Sequence, residues 1–111
     1  MDTSSFTELG FRMVTLSSHK AVTGCFCGDL LSWVMGRAKS GDCWFTIMGN
    51  MNAVAVASLL ELSAIVLCQG VTMDDAVIQK AAEEELNIFY TDLSVYDAAT
   101  AFYEYSTGKE K

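Results

Sequence analysis

The sequence predicts an α/β domain: a three-layer α/β/α sandwich built on a mostly parallel sheet. Two observations carry this. From Cys43 onward the chain alternates strand, helix, strand, helix, strand, helix, with connections of about 2–6 residues, as successive βα units require. Within that alternation, Ala64-Ile65-Val66-Leu67-Cys68 is a continuous apolar run, the pattern of a central parallel strand covered on both faces. Composition agrees: 111 residues, 51% of them hydrophobic, suffice for one core. No linker, repeat or shift in composition divides the chain, so residues 1–111 are expected to form a single domain. Residues 1–9 and 106–111 are expected to be its flexible ends.

The elements follow in order. Residues 1–8 read as a lightly ordered start, with at most one helical turn around Phe6. Residues 11–16 alternate apolar and polar, which is strand periodicity. Ser17-Ser18-His19-Lys20 is a turn, and residues 22–27 form a second strand. Gly28 then relieves the turn, and Asp29 is placed to cap a helix over 29–38 with Leu30, Leu31, Val34 and Trp33 facing inward. Ser40-Gly41-Asp42 ends that helix. Residues 43–48 form a nearly all-apolar strand that contributes Trp44 and Phe45 to the core. Gly49-Asn50 breaks it, and an Ala- and Val-rich helix runs from 51 or 52 to about 62. After the run at 64–68, Gln69-Gly70 turns the chain. Thr72-Met73-Asp74-Asp75 then opens a helix to 85, with acids in its first turn that suit the helix dipole. Residues 87–91 form the last strand, and Ser94 caps a final helix from 95 to about 105. Proline is absent, so every turn relies on Gly, Asn, Asp and Ser.

Fourteen acidic and seven basic residues give a net charge of −7. An acidic surface repels phosphate backbones and anionic headgroups, so no nucleic-acid or membrane partner is expected. The start of the chain is polar and acidic rather than basic then apolar, and the longest apolar stretch, 53–60, is too short for a bilayer. The chain therefore reads as cytoplasmic. In a reducing compartment its four cysteines are expected to be thiols.

Parallel topology gathers the loops that follow the strands at one edge of the sheet, where α/β proteins bind ligands at a switch in strand order. The candidate ligand residues are those with polar or turn chemistry there: Gly28 and Asp29, Asn50 and Asn52, Gln69 and Gly70, then Thr91, Asp92 and Ser94. Their amides and hydroxyls suit a nucleotide base or a small polar metabolite. The competing expectation is that they are turn formers and caps. Exposed aromatics would mark a contact surface, and Trp33, Phe102 and Tyr103 are the candidates for a subunit or partner interface. Cys25-Phe26-Cys27 places two thiols on one face of a strand. A redox or metal site from Cys25, Cys27 and Cys68 is the alternative reading, with His19 as a fourth ligand; buried cysteines acting as small hydrophobes are the bland one. No phosphate-binding G-x-x-x-x-G-K-[ST] loop is present, no nucleophile–base pair is evident, and no cofactor is expected.

Several short pieces, taken together in order and spacing, resemble the DRTGG domain, which is similar to the N-terminal domain of HPr kinase/phosphorylase. They are Val22-Thr23-Gly24, Gly28-Asp29-Leu30-Leu31-Ser32, Val34-Met35, Ala53-Val54-Ala55-Val56-Ala57-Ser58-Leu59, Ala64-Ile65-Val66, Gly70 and Thr91-Asp92-Leu93-Ser94. The resemblance spans residues 10–103. Of the name-giving motif, Thr23 and Gly24 remain; its Asp-Arg pair falls near His19-Lys20, and its second Gly is Cys25. Where relatives carry a Gln-Thr-His type loop, this chain reads Met48-Gly49-Asn50. The resemblance implies a non-catalytic regulatory or assembly module, a homodimer and a protein partner. Such domains are attached to enzymes or encoded near them, including hydrogenase-related ones, a setting in which the cysteine alternative would be an iron–sulfur accessory role.

Overall fold

The computed structural model describes residues 1–17 and 19–108. The middle of the predicted turn at Ser18 and the end of the predicted tail, residues 109–111, lie outside the described residues. Five strands form one sheet: β1 (Arg12–Thr15), β2 (Gly24–Cys27), β3 (Asp42–Thr46), β4 (Ala64–Leu67) and β5 (Ile88–Tyr90). Their spatial order is β1-β5-β4-β3-β2; β2 to β5 are mutually parallel, and β1 pairs antiparallel with β5. The helices are α1 (Leu31–Arg37), α2 (Met51–Leu59), α3 (Asp75–Glu83) and α4 (Val95–Ser106). Both faces of the sheet are covered, so the three-layer architecture with a mostly parallel sheet is observed.

The winding explains which helix lies where. Chain order β2, β3, β4, β5 runs across the sheet in one direction. Right-handed crossovers made in one direction put every connecting helix on one face. That face holds Val34 of α1, the Ala53, Val54, Val56 and Ala57 stripe of α2, and Val77 and Ala81 of α3, packed on Trp44, Ile65, Leu67 and Ile88. The opposite face is closed from the two ends of the chain. There Phe6, Phe11, Phe45, Phe89 and Phe102 form a ring-to-ring cluster with centroids 5.0–6.3 Å apart in edge-on geometry, the arrangement that aromatic quadrupoles favour.

The start of the chain differs from the sequence expectation. Thr3–Leu9 forms a seven-residue 3-10 helix, capped by Asp2 and closed by Gly10 at φ 89°. Phe6 is fully buried, and its ring contacts anchor the helix to the core. Tyr105 Oη on α4 donates to Glu8 Oε1 at 2.9 Å, so the two ends meet. Asn87, fully buried at the start of β5, accepts from Ser17 N and donates to the Ser63 carbonyl, which ties three segments together.

Candidate functional site

The loops that follow β2, β3, β4 and β5 lie together at the C-terminal edge of the parallel strands, and all nine predicted ligand residues belong to them or to the helix starts beside them. These loops are stitched to one another. The Asp29 carboxylate accepts from Thr46 Oγ1 at 2.6 Å and Ile47 N at 3.1 Å, joining the β2–α1 loop to the end of β3. Thr46 Oγ1 in turn accepts from Met48 N. Asp29 is therefore not the cap of α1: the helix starts two residues later, and its N-cap, Leu30, makes no side-chain bond. The carboxylate serves the neighbouring loop because α1 follows only after an extended residue.

Gly28 sits at φ 152°, its carbonyl accepts from Trp44 Nε1 at 2.8 Å, and a Cβ there would touch the Phe26 ring. Gly49 lets the β3–α2 loop press against the next one: a Cβ would stand 3.1 Å from the Thr72 carbonyl oxygen. Gln69 and Gly70 are consecutive left-handed residues, φ 60° and 76°. Their N–H groups donate to Leu93 and Thr91 carbonyls across to the β5–α4 loop. Tyr90 Oη accepts from Met73 N at 2.8 Å and closes the same junction.

The candidates thus divide by what they already do. Asn50 caps α2 by accepting from Ala53 N, Ser94 caps α4 by accepting from Asp97 N, and buried Thr91 accepts from Leu93 N. These three, with Asp29, Gly28 and Gly70, shape the edge. Asn52, Gln69 and Asp92 are exposed on it; Arg12 stands 3.9 Å from Asp92. Between them the edge exposes large apolar side chains that the sequence reading did not single out for it: Leu30, Ile47, Leu93 and Tyr96, with Met51 beside Asn52. Their signal was present, since each lies between the end of a strand and the first turn of the helix that follows it.

One expectation about this edge is corrected. Among strands β2 to β5 the order never reverses, so there is no switch point and no crevice; the edge is an open surface. Nor is it built for a bare phosphate. Asp29, Asp74, Asp75, Asp92 and Asp97 line it, and at the starts of α2 and α4 one N–H each, of Ala53 and of Asp97, is taken by the capping side chain.

A cavity of about 360 Å³ lies at the other end, between the C-termini of α2 and α3, lined by Lys20, Ser58, Glu61, Leu62, Glu84 and Glu85 among others. Its polar groups satisfy each other: Lys20 Nζ donates to the Glu85 carbonyl, and Ser58 Oγ donates to Glu84. Hydrogen bonding from Lys80, then from Ser58, holds the Glu84 carboxyl below its ordinary range. Helix C-termini add negative potential there, which repels anions.

The predicted interface residues separate. Trp33 is 56% exposed on α1, with the Arg37 guanidinium 4.2 Å above its ring. Leu30 is also exposed, so of the four side chains expected inside α1 only Val34 is fully buried. Tyr103 is exposed on α4, across the sheet from Trp33. Phe102 is a core residue, 6% exposed between Phe6 and Phe45, because α4 turns this side of its helix to the sheet.

The cysteine trio does not assemble either. Cys68 is buried on β4's trailing end, two strands from Cys27 and hence about 10 Å away. Burial pushes its thiol up to about 11. Strand register instead sets Cys43 directly beside Cys25. Among the described residues no group of three or more His, Cys, Asp or Glu is placed to hold a metal ion. His19 is exposed in the loop before β2. Among the described residues no helix is long and apolar enough to cross a membrane.

No protein-family model and no curated protein matches the chain. Among solved structures, it is similar to the CBS and DRTGG domains of the regulatory region of Clostridium perfringens pyrophosphatase, crystallised with its activator, diadenosine tetraphosphate. The TM-score is 0.72 at 12% identity, over 86% of this chain and 43% of that one. The chain spans less than half the length of that structure. Strand order, helix placement and this likeness agree: the fold is DRTGG-like.

Proposed function

We propose that this chain is a non-catalytic regulatory module that binds a small polar ligand of nucleoside or nucleotide type on the C-terminal edge of its sheet, and that it works as a homodimer with a protein partner. The observation that carries the reading is the make-up of that edge. Exposed amides of Asn52 and Gln69 alternate with exposed Leu30, Ile47, Met51, Leu93 and Tyr96 on loops held in place by hydrogen bonds to one another. Such a surface offers stacking and apolar contact beside directional donors and acceptors, which is what a base requires. The regulatory region that shares the fold was crystallised with a dinucleotide activator, which supports the same class of ligand. The acidic rim requires that any phosphates arrive neutralised by a divalent cation.

A thermal-shift series with adenosine, AMP, Mg-ATP and magnesium diadenosine tetraphosphate tests the ligand. At one hundred times Kd, binding to the folded state adds about 2.7 kcal/mol, a rise of about 10 °C for a domain of this size. Asn52→Ala and Gln69→Ala are expected to reduce the rise; Asn50→Ala is avoided, because loss of its cap lowers stability by itself. No saturable shift with any of the four compounds removes a nucleotide-type ligand. Sedimentation over a wide concentration range tests the homodimer, and a monomer throughout removes it.

A further inference from the structure

Cys25 and Cys27 take no part in the loops of the C-terminal edge. Both lie on β2, the outermost parallel strand, two residues apart and therefore on one face. Both are exposed, whereas Phe26 between them points to the opposite face and packs against the core of α1 to α3. The face that carries the thiols is the α4 face. There α4 packs against both β3 and β2, yet the two thiol-bearing residues of the outer strand stay open to solvent. Cys43 shares that face and sits at Cys25's register, but it is fully buried, and loss of solvent drives its thiol well up.

Geometry limits what two such thiols can do. Two residues along a strand advance about 6.7 Å, and side chains on one face stand nearly parallel. A disulfide needs β-carbons about 3.5–4.5 Å apart, so closing one between Cys25 and Cys27 would require the strand to buckle. A bridging metal tolerates a wider gap: two metal–sulfur bonds of about 2.3 Å in line hold the sulfurs about 4.6 Å apart, which side-chain rotation reaches from parallel positions. Zinc needs four ligands, and no third ligand is in place among the described residues. Thiolate softness selects closed-shell soft ions instead.

We propose that Cys25 and Cys27 form a two-coordinate site for a soft monovalent cation of the Cu(I) class on the open flank of β2. The exchange is balanced without any redox change. Two S–H bonds break, two S–metal bonds form, two protons leave to solvent, and the dithiol and a monovalent cation become a bis-thiolate complex of charge −1. The site is independent of the nucleotide-type ligand proposed above.

The test is anaerobic titration of the reduced chain with Cu(I) against the chromophoric chelator bicinchoninate, with Ag(I) as a redox-inert check. One equivalent bound per chain, with thiolate-to-copper absorption in the ultraviolet, is expected. Cys25→Ser and Cys27→Ser, both at exposed positions, should each weaken binding at least tenfold, while Cys68→Ala leaves it unchanged. Because two protons are released, affinity should fall about a hundredfold per pH unit well below the thiols' range. Equal copper retention in wild type, Cys25→Ser and Cys27→Ser overturns the site. Loss in Cys43→Ala as severe as in Cys25→Ser, with an unchanged melting temperature, overturns two-coordination by making the buried thiol a ligand.

Discussion

Asp29 shows how a single side chain changes meaning between sequence and structure. Read along the chain it is a helix cap; in space it is a bridge, accepting from a buried threonine hydroxyl and the backbone N–H of the next residue. Charge-assisted bonds of this kind contribute about 1.5–3 kcal/mol in total when partly buried. Asp29→Ala is therefore expected to lower the unfolding free energy in urea by about 1.5 kcal/mol, with Asp29→Asn recovering most of the loss because its amide oxygen still accepts. Equal stability of wild type and Asp29→Ala would mean that Thr46 and Ile47 find other partners. The same distinction governs the cysteines. Spacing alone put Cys25 and Cys27 on one face, and that held. Which third cysteine lies near them depended on register between strands, which no local pattern encodes, and register chose Cys43 over Cys68.

At the scale of elements, the strands and helices after Cys43 were legible because apolar runs, Gly-Asn or Gln-Gly turns and acidic first turns all mark the same boundaries. The short α1 was less so: Trp33 and Leu30 match a helical stripe in sequence, yet a seven-residue helix over an edge strand has room to bury only Val34 completely. The ends of α2 and α3 hold a second feature that residue type concealed. Each helix is followed by a glutamate in the left-handed region, Glu61 and Glu85, both at φ 58°. Such a conformation costs a residue with a Cβ about 1 kcal/mol relative to glycine, and a carboxylate at a helix C-terminus adds repulsion. Glu61→Gly and Glu85→Gly should each raise the melting temperature by about 4 °C. A fall in both would show that the glutamates make contacts worth more than the strain.

For the molecule as a whole, the fold class followed from alternation of elements, and the placement of candidate loops at one edge followed from parallel topology. The order of the strands did not. One-directional winding removes the crevice that a reversal would have made and leaves the ligand residues on an open surface. It also assigns the two faces of the sheet to different parts of the chain. Three crossover helices cover one face using neighbours in sequence, while the phenylalanine cluster on the other draws Phe6 and Phe11 from the beginning, Phe45 from the middle, and Phe89 and Phe102 from the end. Contacts over such sequence separations form late, because the chain entropy of closing a long loop must be overcome first. Pulse-labelled hydrogen exchange during refolding should find the amides of β3 and β4 protected before those of β1; simultaneous protection would count against this order.

The pairing of β1 with β5 carries that order into synthesis. Of the five strands in this sheet, the first to be synthesised has the last as its partner. Until residue 90 has emerged, β1 has no edge to join, and the rings of Phe6 and Phe11 wait in solvent for the rest of their cluster. A nascent chain stalled in α3 would therefore already have the sequence for its crossover layer, yet still present two aromatic side chains to whatever chaperone stands at the tunnel exit.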